Sequence, residues 1–195
     1  ELEPKRATFL NQLGYVYKQK GEPETALKHF IKATQIEPKL IVSYDNLANL
    51  YLSLKKLEMA IKSYEKCIEL EPSNSYYLRA IAEVFIEKED YDTAISYYNK
   101  AKEIDPNEHM IDYELGQTLV LKKEYEKGKE KFNRVIEIGN DEVKSYGYKG
   151  LADLKRKQRK YEEAIELYKK GISIFNDNTD AKLGMALTYS KNGNN

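Results

Sequence analysis

The chain has 195 residues, with 32 basic and 32 acidic side chains and a formal net charge of zero. That balance excludes a uniformly basic nucleic-acid binder and an acidic disordered tail. Hydrophobic residues make up 41%, enough for a core, yet no apolar run approaches the ~18 residues of a membrane span.

Residues 1–6 read as a leader, opening on Glu1 rather than Met and without a basic-then-apolar signal segment. The expectation is a piece of a longer protein, whose compartment such a piece does not disclose; the cytoplasm is the default. From residue 7 onward, amphipathic stretches of ~14 residues alternate with short polar breaks. Tyr91, Ala94, Ile95, Tyr98 and Ala101 show the helical spacing. The breaks carry Gly21-Glu22-Pro23, Glu71-Pro72-Ser73-Asn74 and Asp105-Pro106-Asn107. A proline ends the helix before it, and Pro23 suits the first turn of the next.

Pro38, Pro72 and Pro106 lie 34 residues apart, each behind an acidic residue. Small residues keep the same period: Gly14, Ala48, Ala82, Gly116, then Ala152 and Ala186. A second column reads Ala26, Ala60, Ala94, Gly128, Ala164, and a third Ala33, Cys67, Ala101, Val135, Gly171. An aromatic column reads Phe30, Tyr64, Tyr98, Phe132, Tyr168, and another large column Tyr17, Tyr51, Phe85, Leu119 and later Tyr189. The step from Tyr125 to Tyr161 is 36, so two extra residues sit in the loop after Asn140 or in the helix that follows. One helix pair cannot bury its apolar face alone, whereas stacked pairs can.

The run Leu13-Gly14, Tyr17, Gly21, Ala26, Phe30, Ala33, Pro38 resembles the tetratricopeptide repeat. The resemblance covers residues 7–193, as repeats at 7–40, 41–74, 75–108, 109–142 and 143–178. Residues 179–193 match half of a sixth repeat, or form a capping helix through Ala181, Leu183, Met185, Ala186, Leu187 and Tyr189. Asp112, Val135 and Lys155 depart from the family pattern. The resemblance implies an all-α, right-handed solenoid of eleven antiparallel helices.

Candidate chemistry is sparse. His29 and His109 fall in different repeats, and Cys67 stands in a column of small residues, so it reads as a buried hydrophobe rather than a nucleophile. A single Cys offers neither an intrachain disulfide nor paired thiols for zinc. Gly128-Lys129 lacks the upstream glycine of a phosphate loop. Glu87, Glu89 and Asp90 fall at a turn. No catalytic group, metal or cofactor is expected.

What the resemblance implies instead is a concave face, built from the first helix of each repeat, that holds a peptide segment of a partner protein. Its lining would be Asn11, Tyr15, Asn46, Asn49, Tyr76, Arg79, Tyr113, Gln117 and Lys149. Amides pair with a peptide backbone, and tyrosines give rigid contact area. A clamp for a chaperone's terminal carboxylate is not expected: Asn46 matches one element, but Asn11, Tyr15, Tyr76 and Ala80 occupy the others. A continuous asparagine ladder fails as well, since the residues are Gln12, Asn46, Ala80, Glu114, Gly150 and Gly184.

Charge is uneven. Residues 1–70 carry net +2, 71–142 net −7 and 143–195 net +5. The run Lys155–Lys160 is either a solvated turn complementing a helix dipole or a contact for an acidic partner. Helical-repeat RNA binding is disfavoured by Asp45, Glu83, Glu87 and Glu114. The leading function is a non-catalytic adaptor. The alternative is a structural array acting through its convex face or its ends, with homo-oligomers joined by oppositely charged regions. Neither nucleic acid nor membrane is an expected partner.

Overall fold

The structure, a computed structural model, describes residues 2–193. These residues form eleven α-helices and no strands. Backbone proximity divides the chain into two compact units, Glu1–Ile104 and Asp105–Asn195. The first holds α1 (Leu2–Gln19), α2 (Pro23–Ile36), α3 (Ile41–Ser53), α4 (Leu57–Leu70), α5 (Ser75–Glu87) and α6 (Tyr91–Ile104). The second holds α7 (Met110–Leu121), α8 (Tyr125–Ile138), α9 (Asp141–Lys157), α10 (Tyr161–Ile174) and α11 (Thr179–Asn192). Because α1 begins at Leu2, residues 2–6 are helical and not the separate leader expected from the sequence.

The two kinds of helix break have different causes. Within each pair, one residue at positive φ closes the first helix: Gly21 (76°), Lys55 (56°), Glu89 (59°), Lys123 (70°) and Arg159 (61°). The following N–H then reaches back five residues, as from Glu22 to the carbonyl of Tyr17 (2.9 Å) and from Glu124 to that of Leu119 (2.8 Å). This is the Schellman closure, and four of the five residues in it are not glycine. At three of the five junctions between pairs, before α5, α9 and α11, asparagine starts the helix. The side chains of Asn74, Asn140 and Asn178 accept from the N–H groups of Tyr76 (3.1 Å), Val143 (2.9 Å) and Ala181 (2.9 Å).

The two extra residues lie in a helix, not a loop. α9 has 17 residues where α3 and α5 have 13. No proline follows Ile138, and Gly139-Asn140 alone links α8 to α9. Gly139 is required there, since a Cβ would sit 2.7 Å from the Val135 carbonyl oxygen.

The core of each unit is built from the periodic columns. Ala26, Phe30 and Ala33 on α2 are fully buried, as are Ala60 and Cys67 on α4, with Tyr64 1% exposed. Ala94, Tyr98 and Ala101 repeat this on α6. In the second unit Phe132 and Tyr168 are buried aromatics of the same column. Phe132 lies so close to two glycines that an added Cβ would meet its ring at 2.6 Å from Gly116 and 2.5 Å from Gly150.

Three departures from the repeat pattern find local partners. Val135, larger than the usual small residue, is fully buried beside Gly147, whose added Cβ would approach Val135 Cγ1 to 3.1 Å. Asp112 is also fully buried, with its carboxylate 3.2 Å from Lys131 Nζ and 3.6 Å from Arg134 Nε on α8. A buried charge is tolerated when it is paired. Lys155, in place of an aromatic, reaches Glu163 on α10 at 2.5 Å.

The Schellman residues give a pair of predictions of opposite sign. Lys123→Gly and Arg159→Gly should each stabilise by about 0.5–1 kcal/mol by relieving left-handed backbone. Gly21→Ala should cost about 1 kcal/mol, although open space surrounds the added Cβ. Thermal unfolding, at about 2–4 °C per kcal/mol, distinguishes the directions.

Candidate peptide-docking faces

In both units the first helices of successive pairs carry the expected lining at equivalent register positions. In the first unit these helices are α1, α3 and α5. Tyr15 (51%) and Tyr76 (45%) are exposed on them, with the Tyr76 ring packed edge-on against Tyr77 at 5.3 Å. Asn46, Asn49 and Arg79 are half-buried. Asn49 is committed internally: its amide donates to the Asp45 carbonyl and carboxylate (both 2.9 Å) and its oxygen accepts from the Tyr64 hydroxyl (3.0 Å).

Asn11 is only 7% exposed, so most of its surface is withdrawn from any ligand. Its carbonyl oxygen accepts from Ser43 Oγ (3.1 Å) and Asn46 Nδ2 (3.0 Å), which ties α1 to α3. The polar character of this face is therefore partly structural. Beyond it lies an open cavity of about 460 Å³ lined by Leu52, Ser53, Lys55, Glu83, Ile86 and Glu87. Burial pushes the Asp45 carboxyl above its ordinary value, against the bond from Asn49 and the charge of Lys18.

In the second unit the first helices are α7, α9 and α11. Tyr113 is 5% exposed and belongs to the core. Its ring lies 5.8 Å from that of Phe132 and 5.5 Å from that of Tyr146. Its hydroxyl accepts from Gln117 Nε2 at 2.9 Å, and Lys149 Nζ stands 5.9 Å from the ring centre. Burial pushes the Tyr113 phenol up to about 12, opposed by Lys149.

Next to it is a charged knot. Asp153 accepts from Lys149 (2.8 Å), Arg156 (3.0 Å) and the Tyr168 hydroxyl (2.5 Å). Burial alone would raise the Asp153 carboxyl, but Lys149 and the three hydrogen bonds hold it below the usual range. Burial and the neighbouring Asp153 push the Tyr168 phenol up to about 12.

A cavity of about 320 Å³ opens over this knot, lined also by Asp180, Leu183, Gly184 and Leu187. Leu183 (61%) and Leu187 (48%) are exposed there. By sequence alone they group with the apolar residues of a cap. Their spacing of 34 from Lys149 and Asp153 is the signal that places them on the inner face.

The residues considered for chemistry do not converge. His29 stacks on Tyr17 at 5.3 Å. Cys67 is buried, and burial pushes its thiol up to about 12. Among the described residues, no group of three or more His, Cys, Asp or Glu is placed to hold a metal ion. No described helix is long and apolar enough to cross a membrane.

A tetratricopeptide repeat profile matches residues 7–40, 41–74, 75–108 and 148–178. The chain belongs to the tetratricopeptide repeat family. The unmatched stretch, 109–147, contains Asp112 and Val135, yet α7 and α8 form the same tetratricopeptide helix pair there. No curated protein matches the chain in sequence.

Solved tetratricopeptide structures share the fold at low identity. A protein of Thermus thermophilus, described as a thermophilic TPR protein, is 17% identical with a TM-score of 0.69, covering 94% of this chain and 98% of its own. A repeat protein of Parabacteroides merdae is 21% identical with a TM-score of 0.70, covering 97% and 74%. YrrB, described as a TPR protein with an unusual peptide-binding site, is 19% identical with a TM-score of 0.58, covering 88% of both chains.

Asn11→Ala should cost about 1–3 kcal/mol by leaving buried partners unsatisfied, while Tyr15→Ala should stay within about 0.5 kcal/mol; urea unfolding reads both. The phenols of Tyr113 and Tyr168 are raised in the folded state. Their contribution is therefore complete below pH 10 and lost as pH climbs from 10 to about 12. Urea midpoints measured across pH 9–12 should fall in that window, and less steeply in Tyr113→Phe.

Proposed function

We propose that the chain is a non-catalytic scaffold that docks a peptide segment of a partner protein against the inner faces of its first helices. The observation that carries this reading is that exposed aromatic and aliphatic side chains recur at inner-face positions. Tyr15 and Tyr76 do so in one unit, and Leu183 and Leu187 in the other. Tyr76 borders Asn49, and Leu183 and Leu187 border Asp153, polar groups already ordered by internal hydrogen bonds. Rigid apolar anchors beside preorganised polar groups favour a bound segment at low entropic cost. Family membership supports a role in protein–protein interaction.

The same positions argue against a carboxylate clamp. Asn11 is engaged with Ser43 and Asn46, and Tyr15, Tyr76 and Ala80 bring no cation. Asp45, Glu83 and Glu114 likewise interrupt any basic track for nucleic acid.

The test is partner capture followed by Tyr76→Ala in one unit and Leu183→Asp with Leu187→Asp in the other. These residues are exposed, so the fold should be retained, unlike with Tyr113→Ala. Loss of at least about 1 kcal/mol of binding, or fivefold, in one of the variants is expected. Unchanged recovery in all of them would remove the inner faces from the interaction.

A further inference from the structure

The turns inside the helix pairs of the second unit form a basic edge. Residues 119–127 and 155–163 hold equivalent register positions, each spanning the end of a first helix, its closing turn and the start of the second helix. The former carries three lysines and two glutamates, the latter five cations and two glutamates, so together they bear net +4. The same windows of the first unit, 17–25, 51–59 and 85–93, carry five cations against seven acids, net −2. Lys157 brings the two basic turns together. Its Nζ lies 3.5 Å from the Val120 carbonyl oxygen and 5.4 Å from the centre of the Tyr125 ring. The few carboxylates here are shared between cations. Lys122 (2.6 Å) and Lys127 (2.7 Å) both pair with Glu124 and hold its carboxyl down to about 2. Lys155 and Lys160 both pair with Glu163.

Two cations of this edge are kept at a cost to the fold. Lys123 (φ 70°) and Arg159 (φ 61°) occupy the left-handed closing position, which Gly21 fills without strain. Both are exposed, and among the described residues neither side chain makes an ion pair or a ring contact. Their strain is therefore not offset by a contact within the fold. In the first unit the same position holds Lys55, which pairs with Glu87, and Glu89, which lies in an acidic turn. Strain held without an internal contact is a ground for assigning the side chain an external role.

We propose that this edge, centred on Lys123, Lys157 and Arg159, docks an acidic segment of a partner protein. Opposite charge supplies the attraction, and the exposed cations are the ones that turn toward a ligand. A continuous polyanion fits less well. Glu126, Glu162 and Glu163 are exposed within the edge and would face its phosphates, whereas a peptide sets its carboxylates between them. All of the edge lies within α7–α10, with helices before and after it in the chain. It does not depend on peptide docking at the inner face.

The probe is a fluorescent peptide of alternating glutamate and glycine, titrated into the 195-residue chain at low salt. Anisotropy reads the binding and amide chemical shifts map it. Saturable binding that shifts residues 122–127 and 155–163 and weakens as salt rises is expected. Lys123→Gly with Arg159→Gly should weaken it at least about fivefold while the unfolding temperature rises. Lys123→Ala with Arg159→Ala should weaken it equally without that rise. Lys123→Arg with Arg159→Lys should keep it within about twofold, and Tyr76→Ala should leave it unchanged. Absence of binding up to about 1 mM peptide, or binding indifferent to both the glycine and the alanine pair, would overturn the proposal. So would loss of binding in Tyr76→Ala, which marks inner-face occupancy. Tighter binding of a uridine oligonucleotide or of phosphatidylserine vesicles, abolished by the same substitutions, would also overturn it, with nucleic acid or membrane as the partner.

Discussion

The fold depends on an aromatic ring held against small residues at close range. An aromatic side chain on each second helix, Phe30, Tyr64, Tyr98, Phe132 or Tyr168, is at most 2% exposed. Glycines approach three of these rings so closely that even one methyl group would collide: Gly14 at Phe30, Gly116 and Gly150 at Phe132, and Gly184 at Tyr168. Close-packed interiors respond steeply to such changes in volume. Because Phe132 lies between Gly116 of its own pair and Gly150 of the next helix, the same ring closes a pair and joins it to its neighbour. Local pairing and stacking are thus one interaction, and neither can be altered alone.

That constraint sets what the inner faces can do. First helices brought this close bury short side chains that project between them. Asn11 thus becomes a tie from α1 to Ser43 and Asn46 of α3. Where a first helix meets its second, half-buried Asp153 is the centre of a knot with Lys149 and Arg156 of its own helix and Tyr168 of α10. Such networks hold their geometry because leaving a member unpaired in a low-dielectric setting is costly. Longer residues, Tyr15, Tyr76, Leu183 and Leu187, reach past the helix–helix seam and stay exposed. The inner face therefore combines a fixed polar floor with projecting apolar contacts.

Much of this was legible in the sequence, because a period of 34 carries its own alignment. The aromatic and alanine columns named the core correctly, and the all-α class followed from the helical spacing and the proline breaks. The lining of the inner faces was legible only as register. Periodicity puts Asn11, Arg79 and Tyr113 at one position, but it does not tell how far each side chain reaches. Asn11 turned toward α3 and Tyr113 folded onto Phe132 and Tyr146, whereas Arg79 remained half-buried. The 36-residue step could not be placed without the observation that Asn140 caps α9 directly after Gly139. Ala186 belongs to a buried column by spacing and is exposed because burial there requires a second helix, which no column position can supply.

The most direct measurement is a double-mutant cycle on the Gly116–Phe132 contact, read by denaturant unfolding. Gly116→Ala should destabilise the chain strongly while Phe132 is present and far less in the Phe132→Leu background, giving a coupling of at least about 1 kcal/mol. Effects that simply add, within about 0.3–0.5 kcal/mol, would contradict the account, since the ring and the glycine would then not be the contact on which the stacking rests.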